Sequence, residues 1–198
     1  KIQYLNNIDT IKNLAKPYGY FFINIKPNLI KQDDNWYASY NINLGKRMVV
    51  TSVSTVIQPN KIAIPNGIIK KDDGFTLEKY QQSKDIMLAN AKSNGFPNAS
   101  IANSRVNIDL DKNTCDITFT LELGEIHRFG KVIYNTNKIN HDFLNEFAPF
   151  TKGELFDKSK LPEFKNNLES SHLFTQVIAI PDFNHNTQIP INVNLELK

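Results

Sequence analysis

The sequence predicts an α+β protein made of small tandem modules rather than one large core. Two observations predict it. A unit of helix, aromatic-rich stretch and hairpin recurs along the chain, and where complete its order is strand–helix–helix–strand–strand. Tyr18-Gly19-Tyr20 leads into strands at 21–30 and 36–44, closing at Gly45. Asn94-Gly95-Phe96 leads into 99–110 and 115–123, closing at Gly124. Ser171-His172-Leu173-Phe174 leads into 175–180 and 189–197. Repeats at such spacing are the mark of tandem arrays, which usually bind or scaffold. The modules are expected at 1–45, 46–125 and 126–198. Domains of this size bury only about 60% of the surface their unfolded chains expose, so contacts with neighbours should matter.

The middle unit reads most clearly. Residues 48–57 are rich in β-branched side chains and suit a strand. Residues 59–67, with Pro59 and Pro65, read as an irregular connection too proline-rich for a full helix. Thr76 caps a helix running to Asn94, with Glu78 in its first turn. Phe75 and Tyr80 occupy the hydrophobic-staple positions. Leu77, Tyr80, Met87, Leu88 and Ala91 form an apolar stripe of helical period. Gly95 stops the helix, having no Cβ to penalise left-handed backbone. In the hairpin that follows, Asp111-Lys112-Asn113 is the turn. Ile117, Phe119, Leu121 and Leu123 then alternate with polar residues, giving one buried and one wet face.

The third unit repeats the order. It has a strand at 129–134, a short helix at 140–147, and a second helix capped by Asp157 with Phe156 and Leu161 as staple. Pro162 falls early enough in that helix to be tolerated. Leu161, Phe164 and Leu168 face the core, and Pro181 ends the strand that begins at Phe174. Ile189, Ile191, Val193, Leu195 and Leu197 alternate in the last strand. Cap to terminator is 19 residues from Thr76 to Gly95 and 15 from Asp157 to His172. The difference is about one helical turn, which keeps the buried faces in phase. The first unit offers one helix, at 8–16, and a hairpin, so its opening strand and first helix are missing. There Trp36 and Tyr40 share a strand face expected in the core, while Tyr37 is expected outside with Ser39 and Asn41.

Composition narrows function. Net charge is +3 and no segment carries a basic stripe, which argues against nucleic acid. Cys115 stands alone, excluding an internal disulfide and two-cysteine metal sites. It falls on the inward phase of a strand and reads as a small buried hydrophobe. His127, His141, His172 and His185 are scattered, without the convergence that zinc needs. Asp109-Leu110-Asp111-Lys112-Asn113 resembles the start of a calcium loop. It has Thr114 where glycine and Thr120 where glutamate would be required, so it reads as a turn. Asp72, Asp73 and Glu78 sit at a helix entrance where acids favour the dipole. Neither a phosphate loop nor a nucleophile elbow is present, and no catalytic site or cofactor is expected. Apolar runs fall far short of a membrane span. A chain opening on Lys1 reads as trimmed, so the missing leader says nothing about export.

The module order, the junction Gly124-Glu125-Ile126-His127-Arg128-Phe129-Gly130-Lys131-Val132 and the segment Ser171-His172-Leu173-Phe174-Thr175-Gln176-Val177 together carry a family resemblance. They resemble the POTRA domains of Omp85-type outer-membrane assembly proteins, over nearly the whole chain. Among these, three modules with a reduced first helix in the second are most similar to the translocation and assembly module branch. The main barrel-assembly branch, two-partner secretion transporters and POTRA-bearing scaffolds without a barrel are the alternatives.

The resemblance implies mixed three-stranded sheets with helices on one face and a non-enzymatic periplasmic arm. It further implies an inner-membrane-anchored partner, unfolded outer-membrane clients and a C-terminal β-barrel in the same protein. Leu195-Glu196-Leu197-Lys198 matches Leu121-Glu122-Leu123-Gly124, so the chain stops where another unit is expected.

Clients are expected on edge strands by main-chain pairing, which reads little sequence. The first strand of each hairpin is the expected edge. Its candidate contacts are Phe21, Ile23 and Ile25, then Ile101, Asn103, Arg105 and Asn107, then Thr175, Val177 and Ala179. Gly45, Gly124, Arg128, Phe129 and Gly130 are the candidate junction residues. His172 departs from the family's glycine, so His172→Gly is expected to be neutral to stabilising by up to ~1 kcal/mol.

Overall fold

The computed structural model describes residues 2–184 and 187–198, with side chains from Asn7 onward. His185 lies outside the described residues. The elements run α1 (Ile2–Ala15), β1 (Asn24–Gln32), β2 (Asn35–Asn43), β3 (Val49–Gln58), α2 (Leu77–Ser93), β4 (Ser100–Asp109) and β5 (Thr114–Glu122). They continue as β6 (Arg128–Tyr134), α3 (His141–Asn145), α4 (Lys160–Ser170), β7 (Phe174–Pro181) and β8 (Gln188–Leu197). Three sheets result, β1-β2, β3-β5-β4 and β6-β8-β7. This is the predicted α+β class.

Packing divides the chain into two compact units, residues 1–56, 65–87 and 101–120, and residues 57–64, 88–100 and 121–198. The first unit holds the two-stranded hairpin. α1 begins six residues earlier than predicted and tightens to a 3₁₀ turn at Lys16–Tyr18, where Pro17 has no N–H for an α-helical bond. The predicted burial of Trp36 is not met, since it is 63% exposed. Trp36 pairs with Lys31 next to the turn, and along the two strands only Ile25 and Tyr40 are half-buried. A two-stranded ribbon has too few neighbours to enclose a large ring. Tyr37 is exposed, as expected.

The core of the same unit gathers Met48, Val50, Ile69, Phe75, Tyr80 and Phe119. Thr76 Oγ1 accepts from the Lys79 N–H at 3.1 Å, and Tyr80 stacks on Phe119 with ring centroids 5.4 Å apart. The predicted stripe of α2 is covered from Tyr80 onward. Leu77, the first helical residue, stays largely exposed and Leu88 is half-buried. Ser83 is instead fully buried: its hydroxyl donates to Lys79 O at 2.7 Å and accepts from the Ile69 N–H at 2.8 Å. That pair of bonds ties the irregular segment before α2 to the helix and satisfies a buried donor.

In the second unit β8 is central, parallel to β6 and antiparallel to β7. Phe129, Phe150, Phe156, Phe164, Leu168 and Ile191 belong to one core. Phe129 stacks on Phe150 at 3.9 Å and Phe150 meets Phe164 edge-on at 5.4 Å. Asn140 caps α3, accepting from the Asp142 N–H at 2.8 Å. α4 starts two residues later than a cap at Asp157 predicts. The Asp157 carboxylate accepts from the Ser159 N–H and hydroxyl, holding a preliminary turn before the helix proper. Leu197, expected inside, is 38% exposed at the end of β8.

Candidate functional site

A three-stranded sheet has two edges, and here they are not equivalent. β5 and β8 are central, leaving β3 and β4 outermost in one sheet and β6 and β7 in the other. The outer side of β3 is partly occupied. The Val50 N–H donates to Asp73 O at 2.9 Å, the Asp72 N–H returns to Val50 O at 2.8 Å, and Val49 bridges Gly74. β6 is closed in the same way. The Phe129 N–H donates to Glu154 O and the Gly153 N–H to Phe129 O, both at 2.8 Å, and Arg128 bridges Leu155. The blocking segments lie shortly before a helix, α2 in one case and α4 in the other. Among the described residues, no backbone bond of this kind covers the outer side of β4 or β7. An uncovered edge presents unpaired N–H and C=O groups at a fixed period and is a template for an added strand.

The predicted edge residues divide accordingly. Asn103, Arg105 and Asn107 are exposed along β4, with Ile101 half-buried. On β7, Thr175 is exposed and Ala179 half-buried, but Val177 is core and presents only its backbone. Phe21 and Ile23 are half-buried and precede β1, while Ile25 lies on β1 opposite Ile42.

The junction residues do structural work. Gly45 and Gly124 have φ of +71° and +72°. A Cβ on Gly130 would stand 2.9 Å from the backbone of Ile189, so only glycine lets the strands approach there. Arg128 Nη1 donates to Gly153 O at 2.8 Å, reinforcing the segment that closes β6. Phe129 is core.

A repeated backbone relay escaped the sequence. The Met48 N–H donates to Gly19 O and the Phe75 N–H to Met48 O, both at 2.8 Å. The His127 N–H donates to Gly95 O at 2.7 Å and the Phe156 N–H to His127 O at 2.9 Å. In each case one helix terminator, the residue three past Gly45 or Gly124 and the residue before a later helical turn form one chain of bonds. Aligning the two units on Gly45 and Gly124 would have exposed the equivalence of Met48 and His127.

The chemistry-bearing side chains are quiet. Burial pushes the Cys115 thiol up to about 11, with the neighbouring Asp116 charge adding to it. In the turn that resembled a calcium loop, Lys112 hydrogen-bonds Asp109 through both its ammonium and its N–H. That holds the Asp109 carboxyl below its usual range. Among the described residues no group of three or more His, Cys, Asp or Glu could hold a metal ion. No described helix is long and apolar enough to cross a membrane, which says nothing of a β-barrel.

Residues 55–124, from the end of β3 through α2, β4 and β5, match the POTRA family, described as surface antigen variable number repeat. The match is confined to that stretch, about a third of the chain. Among solved structures, Haemophilus influenzae BamA POTRA3-5 is similar at TM-score 0.52 and 15% identity, over 98% of this chain and 80% of that one. Haemophilus ducreyi BamA lacking POTRA domains 1-3 is similar at TM-score 0.58 and 14% identity, over 76% of this chain and 29% of that one. Identities this low speak for the fold alone. The chain therefore spans less than a third of the second relative's length.

Proposed function

We propose that the chain is the periplasmic POTRA arm of an outer-membrane protein assembly or translocation factor, with modules at 1–45, 46–125 and 126–198. It holds unfolded outer-membrane clients by strand addition to β4 and β7. The observation that carries this reading is the asymmetry of the sheets: in each, one outer strand is covered at its start by its own chain, and the other carries no such bonds among the described residues. Main-chain pairing suits many clients because it uses groups every sequence has. Within the class the reading most favoured by module number is TamA, acting in autotransporter biogenesis. Its arm would engage an inner-membrane-anchored TamB-like partner and precede an outer-membrane barrel of the same protein. BamA, a two-partner secretion transporter and a scaffold without a barrel remain the alternatives. Sequence following Lys198 that repeats alternating segments of about ten residues distinguishes the barrel-bearing readings from the last.

The test is titration of the ¹⁵N-labelled chain with a synthetic peptide of alternating apolar and polar residues. Amide shifts are expected along β4 and β7 and absent from the covered starts of β3 and β6, at Val49–Val50 and Arg128–Phe129. Val106→Pro on β4 should weaken capture at that edge while the circular dichroism spectrum is kept. Shifts confined to β3 and β6, or binding to β4 that the proline leaves unchanged, would overturn the reading.

A further inference from the structure

We infer that the cleft in the second unit, between the last turns of α2 and the start of α4, is a docking site for an acidic protein segment carrying a large apolar side chain. The cleft measures about 950 Å³, within the range that receives one or more large side chains. Its lining is mostly apolar. Leu161 is buried there, and Ala89, Pro162, Ala179 and Pro181 complete the lining. Alanines and prolines at these places leave room that larger residues would fill.

The lining has one sign of charge in excess. Lys92, Lys158 and Lys165 are among the lining residues, against Asp157 alone. Asp157 is already engaged by the Ser159 N–H and hydroxyl. Lys165 is 3.6 Å from Glu169, whereas Lys92 and Lys158 make no ion pair among the described residues. An apolar lining that also carries two ammonium groups without an ion pair, Lys92 and Lys158, is complementary to an aromatic or aliphatic anchor flanked by carboxylates. Such complementarity steers encounter and selects the partner's sign.

The site is concave and includes the hydrogen-bonding side chains of Asn90, Ser93 and Ser159. A planar bilayer cannot enter a concavity, and acyl chains would leave those polar groups unmatched, so a protein segment fits better than a lipid surface. The site uses none of the open β4 edge and stands apart from strand addition there.

The experiment is fluorescence anisotropy of the full chain with a fluorescein-labelled peptide in which one Phe is flanked by glutamates. A counterpart with lysines in place of the glutamates is the control. The acidic peptide is expected to bind and the basic one at least about tenfold more weakly, the gap shrinking as salt rises. The double variant Lys92→Glu/Lys158→Glu should weaken the acidic peptide about fivefold or more, given what exposed charge pairs contribute. Ala89→Trp, an exposed helix position, should block the cleft with melting temperature unchanged. Val106→Pro should leave this binding as it was, which separates the cleft from the β4 edge; the preference for the acidic peptide separates it from main-chain pairing on β7, which reads no charge. Equal binding of both peptides, no binding at millimolar concentration, or indifference to Ala89→Trp would overturn the inference. So would sedimentation of the chain on phosphatidylglycerol vesicles that the charge reversal abolishes while peptide binding is unaffected by it.

Discussion

Gly95 and His172 end α2 and α4 in the same left-handed backbone, at φ of +88° and +59°. One position has no Cβ and the other carries one, so exchanging their residue types isolates two effects. An L residue in this region costs about 1–2 kcal/mol, while glycine loses about 0.5–1 kcal/mol more than alanine in chain freedom on folding. His172→Gly removes the first cost and adds the second, for a net stabilisation between zero and about 1 kcal/mol. The His172 side chain is exposed, so little packing is lost.

Gly95→Ala reverses the balance and adds crowding. A Cβ there would stand 3.0 Å from His127 O and 3.0 Å from Leu155 Cδ2. The carbonyl has little room to retreat, because it accepts the Phe156 N–H at 2.9 Å while the His127 N–H holds Gly95 O at 2.7 Å. Overpacking of fixed groups costs about 1–3 kcal/mol, giving a total near 3 kcal/mol. Urea unfolding followed by circular dichroism reads the totals, and amide exchange at His127 and Phe156 reads the relay itself. His172→Gly melting clearly earlier than the parent, or Gly95→Ala as stable as the parent with both amides still protected, would refute the reasoning.

Two further outcomes are expected. Cys115, buried and held protonated up to about pH 11, should resist iodoacetamide at pH 8 in the folded protein and react at once in denaturant; rapid labelling of the native chain would contradict its placement. The Glu154 carboxyl is held below its usual range by the Lys160 ammonium and then by the Thr151 N–H. A depressed acid contributes above its unfolded value, about 4.3, and loses that contribution as pH falls through the folded one. Glu154→Gln should therefore lower the melting temperature at pH 6 more than at pH 3, and an equal gap at both would remove the interaction from the account.

Part of this molecule was written in contiguous residues. Thr76 with Phe75 and Tyr80 set where α2 begins, Gly95 set where it ends, and alternation from Cys115 to Leu123 set which face of β5 is buried. Even the unusual backbone of His172 was readable from its place after a helix. These signals lie within a few residues because caps, staples and strand faces are local geometry.

Other features depended on partners far along the chain. Trp36 looked like core by alternation, yet alternation names a face without supplying anything to cover it. Ser83 looked like an ordinary helix polar residue until the Ile69 N–H arrived from fourteen residues upstream.

Sequence by itself thus determined the elements, their order and the glycines at 95 and 124 that take left-handed backbone. Only tertiary structure decided which sheet edges are closed, because Asp73 and Glu154 reach β3 and β6 across loops whose course no local pattern encodes. It alone also assembled the lysine-bearing cleft, whose residues are separated by more than sixty positions and share no periodicity.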